Sequence, residues 1–240
     1  MENTATLARR EIGAYFLSPI AYVVIAVFLF TAGMAFGLGT FISGSEASLR
    51  TLFEFWIVLI LVFVLPMLTM RLMSEELRSG TIETLLTAPI TEPAVVLGKF
   101  VGALVFYMIL LATLLLYPII LRMYGPVDWS LLVCNFLGLI LLGALYLAVG
   151  LFFSTCTKHQ IVAVLLSFAL LAMLTFASHA LATQVDISWL RVLLQHLSIR
   201  THFEEFVRGS VDLNHVVFFV TTTALFLFLA VKRLEMRRWQ

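Results

Sequence analysis

Between narrow bands of charge, the chain carries six stretches that contain no Asp, Glu, Lys or Arg: Ile20–Phe41, Phe55–Met70, Phe100–Leu121, Trp129–Thr157, Ile161–Thr183 and Val216–Val231. A helix needs about 20 apolar residues to cross roughly 30 Å of hydrocarbon, so each stretch reads as a membrane span. The runs are continuously apolar rather than alternating, which excludes the strands of a membrane barrel. Only 12% of the residues are charged and 62% are hydrophobic. A soluble domain carries about 25% charged residues, so the soluble classes are excluded, and no low-complexity tract suggests disorder. The second and last stretches are short, since 16 residues rise only about 24 Å. Arg71 and Lys232 at their ends can snorkel to close the gap. The fourth is longer than a bilayer needs, so it tilts or extends past it.

The charged bands set the orientation. With the N-terminus inside, ten Lys and Arg fall on the inner side (Arg9, Arg10, Arg71, Arg78, Lys99, Lys158, Lys232, Arg233, Arg237 and Arg238) and five on the outer. That bias is the one expected of a chain with both termini in the cytoplasm. The net charge of +1 gives no reason to expect a nucleic-acid partner. The first apolar run is too long for a cleavable signal. Cys134 and Cys156 form no CxxC pair and read as buried structural thiols.

Ahead of the first span, Ala5, Ala8, Ile12, Tyr15 and Phe16 recur at helical spacing, with Arg9, Arg10 and Glu11 largely on the other side. This is either an amphipathic helix in the headgroup plane or a frayed basic tail. Ser18-Pro19 then suits a helix start, Ser as cap and Pro at the first position, and predicts an elbow into the span.

Ser74–Glu92, between spans two and three, is longer than a connection requires and is punctuated. Gly80 suits the left-handed end of a helix extending from span two. Thr81 is a fitting N-cap for a new helix with Glu83 in its first turn. Ile82, Leu85 and Leu86 fall on one face, and Pro89 ends the helix after about two turns. A short helix over residues 81–88 with an apolar ridge and acidic surroundings fits a groove in another protein. It could instead lie on lipid, although anionic inner-leaflet lipids repel Glu75, Glu76, Glu83 and Glu92.

Residues 184–214 form a second long connection, on the outer side. Trp189, Leu190, Leu193, Leu194 and Leu197 make one helical stripe, and Thr201–Val207 a second piece ahead of Arg208-Gly209. Two short amphipathic helices dipping into the outer interface account for the pattern. His196, His202 and His215 are not spaced as HxxxH or HExxH, so no metal site is expected even with Glu204 and Glu205 nearby. Gly33-x-x-x-Gly37 and Gly98-x-x-x-Gly102 are candidates for close helix packing.

The run Glu76–Ile90 (ELRSGTIETLLTAPI) resembles the coupling-helix signature of permease subunits of type-2 ABC (ABC-2) transporters. The stretch Arg9–Ile25 and the stretch Leu197–Val216 are similar to the gliding-motility-associated subfamily of those permeases. The resemblance implies an all-α membrane protein, one transmembrane domain over residues 1–240. It has six spans, an N-terminal interfacial helix, a cytoplasmic coupling helix at about 81–88, and short external helices before the last span. It further implies a multi-pass protein of the bacterial cytoplasmic (inner) membrane that pairs with a second permease copy, identical or different. Each copy would dock on a cytoplasmic ABC ATPase, and an accessory subunit with an extracytoplasmic domain could join, all within membrane lipid. Glu75, Glu76, Gly80, Thr81, Glu83, Leu85, Leu86 and Pro89 would serve ATPase coupling. His202, Phe203, Glu204, Glu205, Phe206, Arg208 and Gly209 would form an external gate, against a plain surface-helix pair as the other reading.

No GxxxxGK[ST] stretch occurs, so ATP and Mg would be handled by the partner and the chain is not expected to be an enzyme or to bind a cofactor of its own. The expected function is the membrane half of an ATP-driven exporter. A membrane anchor or assembly subunit, and a secondary transporter, are the alternatives. The second is disfavoured because no span carries a central ionisable Asp, Glu, Lys or Arg.

Overall fold

A computed structural model describes residues 2–41, 52–81, 91–123, 128–184 and 187–238, and within them the fold is all-helical. Helices α1 (Glu2–Leu17) and α2 (Pro19–Phe41) meet at Ser18, and their axes bend by 71°. The elbow expected at Ser18-Pro19 is therefore present. A π-helical turn, Leu52–Ile57, leads into α3 (Val58–Thr69) and α4 (Arg71–Ser79). Helices α5 (Glu92–Thr113) and α6 (Leu116–Leu121) make the next crossing, and α7 (Trp129–Cys156) the one after. Helix α8 (Gln160–Ala172) continues through a second π-helical stretch, Met173–Ala177, into α9 (Ser178–Gln184). Two short helices, α10 (Ser188–Leu197) and α11 (Ile199–Val207), precede the last span, α12 (Leu213–Arg238).

Five of these helical units are long and apolar enough to cross a membrane: Leu52–Ser79, Glu92–Leu121, Trp129–Cys156, Gln160–Leu181 and Leu213–Arg237. Taken together as one span, the bent α1–α2 pair makes a sixth. The helices around the two short apolar runs are not short. The first continues for 28 residues from Leu52 to Ser79, and α12 has 26.

Helix α7 is the axis of the bundle, in contact with α3, α4, α5, α8, α11 and α12. Asp128 starts it, its Oδ1 accepting from the Ser130 and Leu131 amides at 2.9 and 3.3 Å. Helix interfaces in lipid depend on small residues that let neighbours close in. Here Gly138 admits Phe206, Gly143 admits the Tyr107 ring, and Gly150 admits Thr69. Helix α7 also repairs the break at Met70 between α3 and α4. A new helix leaves its first amides without partners, and Met70 has no side chain to cap them. The buried Ser154 hydroxyl accepts from the Met73 and Ser74 amides at 3.0 and 3.1 Å and donates to the Met70 carbonyl at 3.0 Å.

Contacts fix which ends lie together. The beginnings of α5 and α8 and the ends of α1, α4, α7 and α12 share one end, where Arg237 donates to the Cys156 carbonyl at 3.3 Å. This is the Gly80 end. At the opposite end, Arg200 of α11 lies 3.9 Å from Glu54 at the head of the second crossing.

Candidate functional site

At the Gly80 end a charged cluster joins three helices. Lys99 on α5 is 2% exposed, and its ammonium donates to Glu11 Oε1 on α1 at 2.9 Å and to Glu76 Oε1 on α4 at 2.8 Å. The contact depends on Gly102, one turn further along α5. A Cβ there would sit 2.8 Å from Glu11 Cβ and 3.3 Å from the Ala8 carbonyl oxygen. Glycine lets α1 lie close enough for the Glu11 carboxylate to reach the lysine. Glu76 shares the inward face of α4 with Leu72, Met73 and Leu77, which are buried. Removing the ammonium would strand two carboxylates, a loss of about 3–5 kcal/mol for a buried pair.

A cavity of about 240 Å³ adjoins the cluster, lined by Glu11, Tyr15, Arg71, Glu75, Glu76 and Lys99 among others. Among the described residues, Arg71 Nε and Glu76 Oε2 are buried with no hydrogen-bond partner. Tyr15 donates to the Leu68 carbonyl at 3.3 Å.

The expected coupling residues divide here. Glu75 is exposed, whereas Glu76 faces inward to Lys99. Gly80 ends α4 at φ +74°, the left-handed conformation glycine adopts at little cost. The Thr81 hydroxyl lies 2.8 Å from that of Ser79. Glu83, Leu85, Leu86 and Pro89 fall outside the described residues.

At the opposite end the two short helices differ. Helix α10 leaves Trp189, Val192, Leu193 and Leu197 exposed, while α11 buries Ile199, Phe203, Phe206 and Val207 in the bundle. Ser198 separates them and caps α11, its hydroxyl accepting from the Thr201 amide at 3.3 Å. On α11, Glu204 pairs with Arg200 at 2.7 Å and Glu205 with Arg208 at 2.9 Å. Gly209, at φ +85°, turns the chain out of the helix. His202 Nδ1 lies 2.7 Å from His215 Nδ1 on α12, and its ring stacks on Phe218 at 4.0 Å. Among the described residues, no group of three or more His, Cys, Asp or Glu is placed to hold a metal ion.

Three features escaped the sequence reading. The His202–His215 pair is one, because its members lie thirteen positions apart in the chain. The facing of the two π-helical stretches is another: Phe55 and Phe176 meet edge-on at 6.4 Å, close to where Tyr146 and Thr175 share a 2.7 Å hydrogen bond. The third is the set of close-packing glycines. Gly102 is tightly packed as described, but a Cβ at Gly33 would meet only the Tyr117 hydroxyl at 3.5 Å, and at Gly37 nothing within 4 Å. Among the described residues, no helix backbone comes within 4 Å of a Cβ at either position of this pair.

A family model described as ABC-2 family transporter protein matches residues 58–237, from the start of α3 almost to the end of α12. No curated protein matches the chain.

Proposed function

The chain belongs to the ABC-2 transporter family and is a multi-pass membrane component of an ABC transporter, and on that premise we propose that it is one permease half of an exporter driven by a separate cytoplasmic ATPase. ATP and Mg would bind that partner, and hydrolysis would move the short segment after Gly80. A second permease copy, identical or different, would complete the translocation path. The similarity of residues 9–25 and 197–216 to the gliding-motility-associated permeases favours an accessory subunit with an extracytoplasmic domain. The Gly80 end, with both termini, would face the cytoplasm of a bacterial inner membrane.

The observation that supports this reading is how α4 is tied down. It leads directly into the left-handed Gly80, is held to α1 and α5 through Lys99, and to α7 through Ser154. A push delivered just beyond Gly80 therefore reaches four helices with little slack. Glu75, Glu83, Leu85 and Leu86 would contact the ATPase, Gly80 and Pro89 would form the bends, and Thr81 would start the coupling helix. Glu76 would act from within, holding α4 to the bundle. At the other end, Phe203 and Phe206 would seat α11 while His202, Glu204, Glu205, Arg208 and Gly209 form the external gate.

Replacing Leu86 with Asp tests the coupling assignment. Wild-type chain should bring down an ATPase subunit on purification from its native membrane; L86D should insert equally well and lose most of that subunit. Full retention would refute the docking role. Purification of an active carrier with no ATPase would favour the secondary-transporter or anchor reading.

A further inference from the structure

We propose that the crevice between α2 and α3, with the charged cavity at its inner end, binds one phospholipid whose headgroup carries a primary ammonium, of the phosphatidylethanolamine type. Glu75 and Glu76 line it as well as entering the coupling assignment, but lipid binding is read on the chain alone and does not depend on an ATPase.

The headgroup chemistry follows from the cavity wall. Among the described residues, Arg71 Nε and Glu76 Oε2 have no hydrogen-bond partner, and both side chains line the cavity, so an anionic acceptor beside Arg71 and an N–H donor beside Glu76 suit this wall. The wall carries three carboxylates, Glu11, Glu75 and Glu76, against two cations, Arg71 and Lys99, and Lys99 already serves two of the carboxylates. A purely anionic headgroup would meet excess negative charge. A zwitterion adds none: its phosphate accepts from Arg71 and its ammonium donates to Glu76. A trimethylammonium has no N–H to give, so a choline headgroup leaves Glu76 Oε2 unmatched.

The chain-binding part lies along the same two helices. A second cavity, of about 350 Å³, is lined by Val27, Thr31 and Ala35 on α2, by Trp56 of the π-helical turn and by Ile60 and Phe63 on α3, with other apolar residues. The Thr31 hydroxyl is turned back onto the Val27 carbonyl at 2.7 Å, so the cavity offers an apolar surface. In the first cavity, Ala21 of α2 faces Met67 and Leu68 of α3. The two cavities are therefore stacked along one antiparallel crevice. At 1.5 Å per residue, the second begins about 9 Å from Ala21 and ends about 21 Å from it. One leaflet's acyl chains fill about 15 Å, half the hydrocarbon core, so a lipid whose headgroup sits by Arg71 places a chain beside Val27 and Thr31. The elbow at Ser18 puts the cavity where an interfacial helix turns into a span, at headgroup depth.

The test is native mass spectrometry of the purified full chain, stripped of lipid in detergent and titrated separately with four ligands. These are phosphatidylethanolamine, phosphatidylcholine, phosphatidylglycerol and the soluble headgroup glycerophosphoethanolamine. One phosphatidylethanolamine should bind per chain, about tenfold or more tightly than either other lipid and than the soluble headgroup, the ratio one charge-assisted hydrogen bond implies. Arg71→Gln should weaken binding of all three lipids, whereas Glu76→Gln, which takes the carboxylate from the ammonium, should remove the preference for phosphatidylethanolamine over phosphatidylcholine. Val27→Trp, on the exposed side of the second cavity, should weaken binding of the lipid but not of the soluble headgroup. Thermal unfolding close to wild type shows that each variant is folded. Equal binding of all three lipids, a preference for phosphatidylglycerol, soluble headgroup binding as tightly as the lipid, or a Glu76→Gln variant that keeps the preference would each overturn the proposal.

Discussion

Gly143 shows how single residues set this bundle. A Cβ there would lie 2.1 Å from Tyr107 Cε1, and the ring cannot swing away cheaply because its hydroxyl donates to the Leu139 carbonyl at 2.7 Å. Gly143→Ala should therefore destabilise by about 1–3 kcal/mol, the cost of overfilling a packed interior. Gly37→Ala, with open space around it, should be neutral or raise stability by up to about 1 kcal/mol through helix propensity. Thermal unfolding of the two variants side by side checks the contrast, and a Gly37→Ala variant as damaged as Gly143→Ala would refute it. The contrast also marks where the sequence misleads. Gly33 and Gly37 carry a spacing that marks close packing, whereas the tight positions on α7 are single glycines facing side chains from Phe206, Tyr107 and Thr69. What makes a glycine indispensable is the residue across from it, and that partner lies tens of positions away in the chain.

Elements with a strong local signature were legible, and α11 shows where legibility ended. Its amphipathic pattern predicted a short helix, and the structure has one, but nothing local revealed that it docks inward while α10 stays exposed. The partners that decide this, Gly138 and His215, sit on other helices. The histidine pair makes the docking sensitive to acid. His202 Nε2 lies 3.2 Å from the His196 carbonyl oxygen, so in this network it carries the proton, and Nδ1 is left to accept from His215 at 2.7 Å. Burial lowers the His202 value from the usual 6.5; the His196 carbonyl works against that shift, and the neighbouring His215 and His196 rings add to it. The folded state thus binds a proton less readily than the unfolded one. The stability contributed by the neutral ring is fully present above about pH 6.5 and is lost as pH falls from there through the lower folded value. Hydrogen exchange over residues 199–207, corrected for intrinsic rates, should be faster near pH 5.5 than near pH 7.5. His202→Gln should flatten that difference, and an unchanged pH dependence in the variant would rule the pair out as its source.

Across the whole molecule, five of the six expected crossings, with the bent α1–α2 pair as the sixth where it counts as one span, were readable because each passage through the bilayer needs its own charge-free run, and bands of charge separate the runs. The side-by-side placement of the helices was not readable, since six mostly uniform apolar cylinders carry little record of their neighbours. The central position of α7 depends on Ser154, Gly143 and Gly150 meeting residues on three other helices. The arrangement does make topology testable. Arg78 and Met236, both exposed, lie at the Gly80 end, and exposed Ser210 lies at the other. With Cys134 and Cys156 replaced by Ala, the single variants Arg78→Cys, Met236→Cys and Ser210→Cys give three reporters for a membrane-impermeant maleimide. In intact spheroplasts the reagent should modify the cysteine at 210 alone, with those at 78 and 236 reacting only after the membrane is opened. Sidedness of the ends is set by Lys and Arg near the spans, of which the Gly80 end has the excess. The reverse pattern would put the segment after Gly80 out of reach of any cytoplasmic ATPase and would remove the coupling mechanism, while labelling of 78 and 236 on opposite sides would contradict the fold itself.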